Sequence, residues 1–152
     1  AMAGGLGMLC AGDIVVVTED CKFALTETTL GIPPAQIAPF VSQRIGLAKA
    51  RRIMLTAARF TGKEAHEMGL ADFVAKDADD LKVIEADIKK GVLKCAPGAN
   101  AVTKEIVLAT RHLTRKEMIE FAAKGFAERM LSDEGKEGIS SFIEKRKPKW
   151  SK

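Results

Sequence analysis

Tyrosine is absent from the 152 residues, and aromatic side chains together make up only 5% of them. Nucleic acids held as single strands need stacked aromatic faces as well as cationic grooves, so the net charge of +4 does not mark a nucleic-acid binder. Lysine and arginine are also interspersed with acids along most of the chain, which leaves no basic stripe before the C-terminal tail. Cysteine is scarce. Cys10, Cys21 and Cys95 lack metal-ligand spacing, and an odd number of thiols argues against a disulfide framework and for a reducing compartment. Cys10 reads as a small buried apolar side chain, with a nucleophile as the other reading. His66 and His112 show no ligand pattern and read as helix-surface residues, so no zinc site is expected. No apolar run approaches the ~20 residues that span a bilayer. No charged n-region followed by an h-region marks a signal peptide, although a chain beginning at Ala1 is compatible with a removed leader.

What is present is 47% hydrophobic and 29% charged, enough for one domain's packed core, with nothing pointing to disorder. Gly4-Gly5-Leu6-Gly7 runs into an apolar helical stretch ending near Asp13. Glycines at a helix start admit a ligand to the backbone, where first-turn N–H groups lack helical partners and can hold an anion. A glycine-lined helix crossing is the other reading. Residues 14–18 then read as a buried strand, 22–25 as a second and 70–74 as a last one. Thr61-Gly62-Lys63-Glu64 forms a capping box. Beyond about residue 75 the pattern is helical throughout, which divides the chain into regions 1–75 and 76–152. Leu81, Ile84 and Ile88 line one helix. Thr114-Arg115-Lys116-Glu117 caps another carrying Met118, Phe121, Ala122 and Met130, and a final helix begins near Ser132 and presents Ile139, Phe142 and Ile143. These stripes read as intramolecular core or, in part, as a subunit interface. Residues 96–100, with Pro97 and Gly98, are expected to break two helices.

Four stretches in order resemble the crotonase, or enoyl-CoA hydratase/isomerase, superfamily. Gly4-Gly5 with Asp13-Ile14 fits its G-G-G-x-x-L-A-x-x-C-D-I segment, and Glu27, Leu30, Gly31 and Pro34 fit its P-E-x-x-L-G-x-x-P segment. Arg44-Ile45-Gly46 through Leu55-Thr56 to Gly69-Leu70-Ala71-Asp72 looks like its central run, and Phe142-Ile143-Glu144-Lys145-Arg146-Lys147-Pro148 like its F-x-E-K-R-x-P ending. The resemblance implies an α/β chain of the crotonase-like (ClpP/crotonase) fold, the C-terminal part of the spiral core followed by a helical trimerisation region. It implies an acyl-CoA thioester as substrate, with coenzyme A as part of that substrate and no separate cofactor. It assigns proton transfer to Glu27, an oxyanion-hole N–H to Gly4, and substrate or CoA contact to Gly5, Phe142 and Lys145. The last two stand three apart, as on one helix face. The basic tail 145–152 reads as a solvated helix end, a nuclear-type signal or a phosphate contact, and the resemblance favours the phosphates of CoA.

Two departures sharpen the expectation. Hydratases of this family usually carry a second glutamate at the position of Gly7, and Ala35-Gln36-Ile37-Ala38-Pro39 replaces the family's glycine-rich turn after Pro34. Members with only the later glutamate include isomerases, which shuttle one proton. Hydration of a 2-enoyl-CoA ranks first by analogy, double-bond isomerisation second, and a catalytically incomplete interaction or oligomerisation module is the reading from another class. Family members are also longer. Ala1 falls inside a motif, so the chain is expected to be a C-terminal portion, working with an N-terminal portion that supplies the other oxyanion donor, in a trimer or dimer of trimers. The expected compartment is the cytoplasm, or the mitochondrial matrix in a eukaryote.

Overall fold

The computed structural model describes residues 1–151, which form two compact units divided at 87/88. The first unit opens with helix α1 (Gly4–Cys10) and strands β1 (Val16–Thr18) and β2 (Lys22–Ala24), then a 3-10 turn over Glu27–Leu30. Helices α2 (Ala38–Ile45) and α3 (Leu47–Leu55), strand β3 (Arg59–Thr61), helix α4 (Gly62–Glu67) and strand β4 (Phe73–Ala75) follow, and helix α5 (Ala78–Leu93) runs through the division. β1 pairs with β4 in parallel, Val17 opposite Val74, so the whole segment between them is a crossover connection. β2 pairs with β3 antiparallel, and Phe23 stacks on Phe60 with centroids 5.4 Å apart. Leu6, Phe23, Leu25, Val41, Ile53 and Leu70 are the largest fully buried side chains, each contributing ~1.5–3 kcal/mol by leaving water. They draw α1, the β2–β3 pair and α2–α3 onto one core.

Of the three expected strands, the first and last begin later than the apolar runs that announce them. β1 begins at Val16 because the Val15 N–H donates to the Asp72 carboxylate at 2.7 Å instead of to a ladder partner. β4 begins at Phe73 because the Leu70 and Ala71 N–H groups close the end of α4 on the Ala65 carbonyl, at 2.8 and 3.2 Å. Between them Thr61 and Glu64 make the reciprocal capping box at the start of α4. Gly62 is required there: a Cβ on it would lie 1.8 Å from the Thr18 carbonyl oxygen, where the helix start meets the end of β1.

The second unit holds helices α6 (Pro97–Ala109), α7 (Arg115–Leu131) and α8 (Asp133–Ile143). Thr114 and Glu117 form the expected capping box of α7, and Ser132 caps α8 through the Gly135 N–H. The expected break at 96–100 is displaced, because Pro97 is the first residue of α6, where a fixed φ and a missing N–H cost nothing. The Gly98 N–H next to it donates to the Glu134 carboxylate at 2.9 Å. After α8 the tail folds back onto its own unit. Arg146 grips Glu137 through two bonds of 2.6 and 3.0 Å, and the Trp150 indole donates to the Lys94 carbonyl at 3.2 Å. Those bonds from Arg146 hold the Glu137 carboxyl down to about 2. Among the described residues no helix is long and apolar enough to cross a membrane.

Candidate active site

Residues 1–3 run beside β2, with Met2 bridged to Ala24 and the Ala3 N–H donating to the Ala24 carbonyl at 3.1 Å. Ala3 then turns the chain at φ 44°, a left-handed conformation that is strained for alanine, and Gly4 starts α1. The Gly5 and Leu6 N–H groups bond to Met2 and Ala3, whereas the Gly4 N–H has no acceptor among the described residues. Space opens over Gly4: a Cβ there would meet nothing within 4 Å. The β2 strand that anchors this turn also delivers, three residues after Ala24, the carboxylate of Glu27.

Glu27 heads the 3-10 turn, which Gly31 ends at φ 75°. Thr28 ties the turn to α3 by donating to the Met54 carbonyl at 3.1 Å. The Glu27 Oε2 atom is shielded from solvent and has no hydrogen-bond partner among the described residues. A buried acceptor left unpaired is costly, and such atoms are retained where a substrate or water is to be met. Glu27 and Gly4 line the same cleft, about 310 Å³ in volume, whose other walls are Ile32, Pro33, Pro34, Ala35, Gln36 and Ile37. The carboxylate and the Gly4 backbone thus share one mostly apolar space.

Gly5 is exposed beside that lining and takes no part in it. Phe142 and Lys145 belong to the unit 88–152, and the shared helix face expected for them is not present. Phe142 is 85% exposed on the last turn of α8, but Lys145 lies beyond the helix at φ 53°. The Lys145 N–H bonds back to Phe142 at 3.3 Å and the Arg146 N–H to Ser141 at 3.0 Å. This is a Schellman closure with lysine where glycine is usual. Cys10 is buried, and burial pushes its thiol up, so it is a packing residue. Among the described residues no cluster of histidines, cysteines or carboxylates fits a metal ion.

Two contacts are not legible in the sequence. Arg44 donates to the carbonyls of Leu70 (2.7 Å) and Gly12 (2.9 Å) and pairs with Asp72, fastening α2 to the segment after α1 and to β1 and β4. Ile37 packs on Gly7 so closely that a Cβ at Gly7 would lie 2.3 Å from the Ile37 Cγ2 atom. The signal for Ile37 was present in the sequence as the altered stretch 35–39, but not its direction.

Residues 1–152 match the profile of the family described as Enoyl-CoA hydratase/isomerase over their whole length. The chain belongs to that family. AtuE of Pseudomonas aeruginosa superposes with a TM-score of 0.97 at 46% identity, covering 99% of this chain and 58% of that one. A Bacillus subtilis (strain 168) protein named "Probable enoyl-CoA hydratase" is 34% identical over 99% of this chain and 58% of its own length. An Arabidopsis thaliana protein named "Delta(3,5)-Delta(2,4)-dienoyl-CoA isomerase, peroxisomal" is 30% identical over 99% of this chain and 55% of its own. The chain therefore has the crotonase-like fold and spans a little over half the length of these relatives.

Proposed function

We propose that the cleft of Gly4 and Glu27 is the proton-transfer site of an acyl-CoA enzyme that adds water to a 2-enoyl-CoA. The observation that carries this is that Glu27, whose shielded Oε2 has no hydrogen-bond partner among the described residues, lines the same cleft as Gly4, whose backbone N–H has no acceptor among them. The Gly4 N–H donates to the thioester carbonyl, and its hydrogen bond strengthens as that oxygen gains enolate charge. Glu27 holds the water, takes its proton as the hydroxyl oxygen bonds to the β carbon, and returns a proton to the α carbon. One carboxylate completes the addition because water bridges it to both carbons. The B. subtilis relative's name agrees with hydration. In the same proposal a second oxyanion donor comes from chain outside residues 1–152. Further copies, as a trimer or dimer of trimers, cover apolar side chains such as Ile119, Phe126 and Leu131, which are exposed in the unit 88–152. Lys145 contacts the CoA phosphates, no separate cofactor takes part, and the compartment is the cytoplasm or a mitochondrial matrix.

The Gly7–Ile37 packing favours a second reading, double-bond isomerisation, in which Glu27 moves one proton from the α to the γ side of a 3-enoyl-CoA and no water is consumed. The two are separated by product. Incubation with crotonyl-CoA and with a 3-enoyl-CoA, followed by NMR in D₂O, yields a 3-hydroxyacyl ester for a hydratase and a 2-enoyl ester alone for an isomerase. In either case Glu27→Gln lowers kcat by ~10²–10⁴ while CoA-ester binding persists. A fall of less than fivefold excludes Glu27 as the acid–base group.

A further inference from the structure

We infer that Ile37 is the specificity-determining wall of the Glu27 cleft, setting how much acyl group fits beside the reacting carbons. This deepens the acyl-CoA reading and rests on it. Ile37 caps the N-terminus of α2 and is only 9% exposed, yet it lines the cleft with Gly4 and Glu27. Behind it stands Gly7 of α1, whose hypothetical Cβ would lie 2.3 Å from Ile37 Cγ2, 2.8 Å from Cβ and 3.5 Å from the backbone Cα.

The wall therefore has no room to retreat. Side chains that yield in a binding pocket do so by changing rotamer or sinking into a void, and a β-branched residue has few rotamers. Here the space behind is filled by a helix that Leu6 and Val41, both fully buried, hold against α2. Pro33 and Pro34 make the adjoining wall with a backbone fixed in φ. Position 37 is thus a rigid stop, and the absence of a side chain at Gly7 sets where the stop stands. Substituting each partner must move the wall in opposite directions: Ile37→Ala enlarges the cleft, and Gly7→Ala drives Ile37 into it.

The test uses residues 1–152 together with the further chain to which the proposal assigns the second oxyanion donor, and two esters, crotonyl-CoA and trans-2-octenoyl-CoA, compared by kcat/KM, with Kd for butyryl-CoA and octanoyl-CoA measured in parallel. Ile37→Ala is expected to raise the octenoyl-to-crotonyl ratio about tenfold, Ile37→Val to raise it less, and Gly7→Ala to lower it. Restoration of the parental ratio in the Gly7→Ala, Ile37→Ala double variant supports direct contact as the cause. A general loss of packing lowers both esters together and leaves the ratio unchanged, and an unchanged ratio in Ile37→Val and Ile37→Ala overturns the inference. If the parent binds and converts neither ester, the acyl-CoA reading itself falls and takes this inference with it. Should Ile37→Ala fail to fold, the Ile37→Val ratio and its octanoyl-to-butyryl Kd ratio decide, and no change in either is a refutation.

Discussion

Replacing Arg44 by methionine keeps most of the stem's packing and removes three hydrogen bonds at once, one of them the ion pair with Asp72. The side chain is 12% exposed and its partner Asp72 is 41% exposed, so the pair is screened on one side and does not count as fully buried. Hydrogen bonds to charged groups contribute ~1.5–3 kcal/mol each when shielded, but here Gly12 and Asp72 can turn to water and only the Leu70 carbonyl is left poorly served. The expected cost is about 2–4 kcal/mol. Hydrogen exchange read by mass spectrometry on residues 12–18 and 70–75 isolates it, because these are the segments the guanidinium joins. Opening should become roughly 30- to 700-fold more frequent. Asp72→Asn, which retains an acceptor for the Val15 N–H at 2.7 Å, should cost less, and the two substitutions together should cost less than their sum. An exchange rate within threefold of the parent in Arg44→Met would refute the idea that this clamp holds α2 in place.

Glu137→Gln should destabilise the protein at neutral pH, and the deficit should vanish in acid. The native carboxyl titrates at about 2 against 4.5 for the unpaired group, so its contribution is present above 4.5 and disappears as pH falls toward 2, a trend that thermal melts across that range follow. Lys145→Gly should raise stability by roughly 0.5–1 kcal/mol, because a left-handed residue costs lysine ~1–2 kcal/mol and glycine's extra entropy offsets part of that gain. The same substitution should raise KM for CoA esters more at low salt than at high salt, and a salt-independent KM would remove Lys145 from phosphate binding. Gly62→Ala should cost at least 1–3 kcal/mol in urea unfolding, since the Thr18 backbone must move to admit the methyl group, and a neutral result would show that α4 and β1 are loosely joined.

The legible parts of this chain are those where local chemistry decides. Thr61 and Glu64, Thr114 and Glu117, and Ser132 announce helix starts because a cap is complete within four residues. Motif spacing singles out Glu27 and Gly4 as candidates, but that they share a cleft follows from the bridge between Met2 and Ala24, which no periodicity encodes. The apolar runs overshoot the strands at Ile14 and Leu70 because apolarity reports burial, whereas a ladder requires free N–H groups, and here Asp72 and the Ala65 carbonyl have claimed them. β3 is three residues long with one buried side chain, too short for an alternation to register. The sequence pattern extends the helix over Lys145 because nothing in it announces a left-handed lysine. The role of Ile37 was hidden for another reason: its partner, Gly7, is thirty residues away and contributes only an empty space.

Trp150, bonded to the Lys94 carbonyl and close over Gly138, is the sole tryptophan in a chain without tyrosine. Its indole is therefore the only strong intrinsic fluorophore of these 152 residues. Emission excited there follows the three-helix unit that begins at residue 88 and is blind to the unit holding Glu27. An emission midpoint that precedes or trails the loss of far-ultraviolet ellipticity would show the two units melting as separate cooperative bodies.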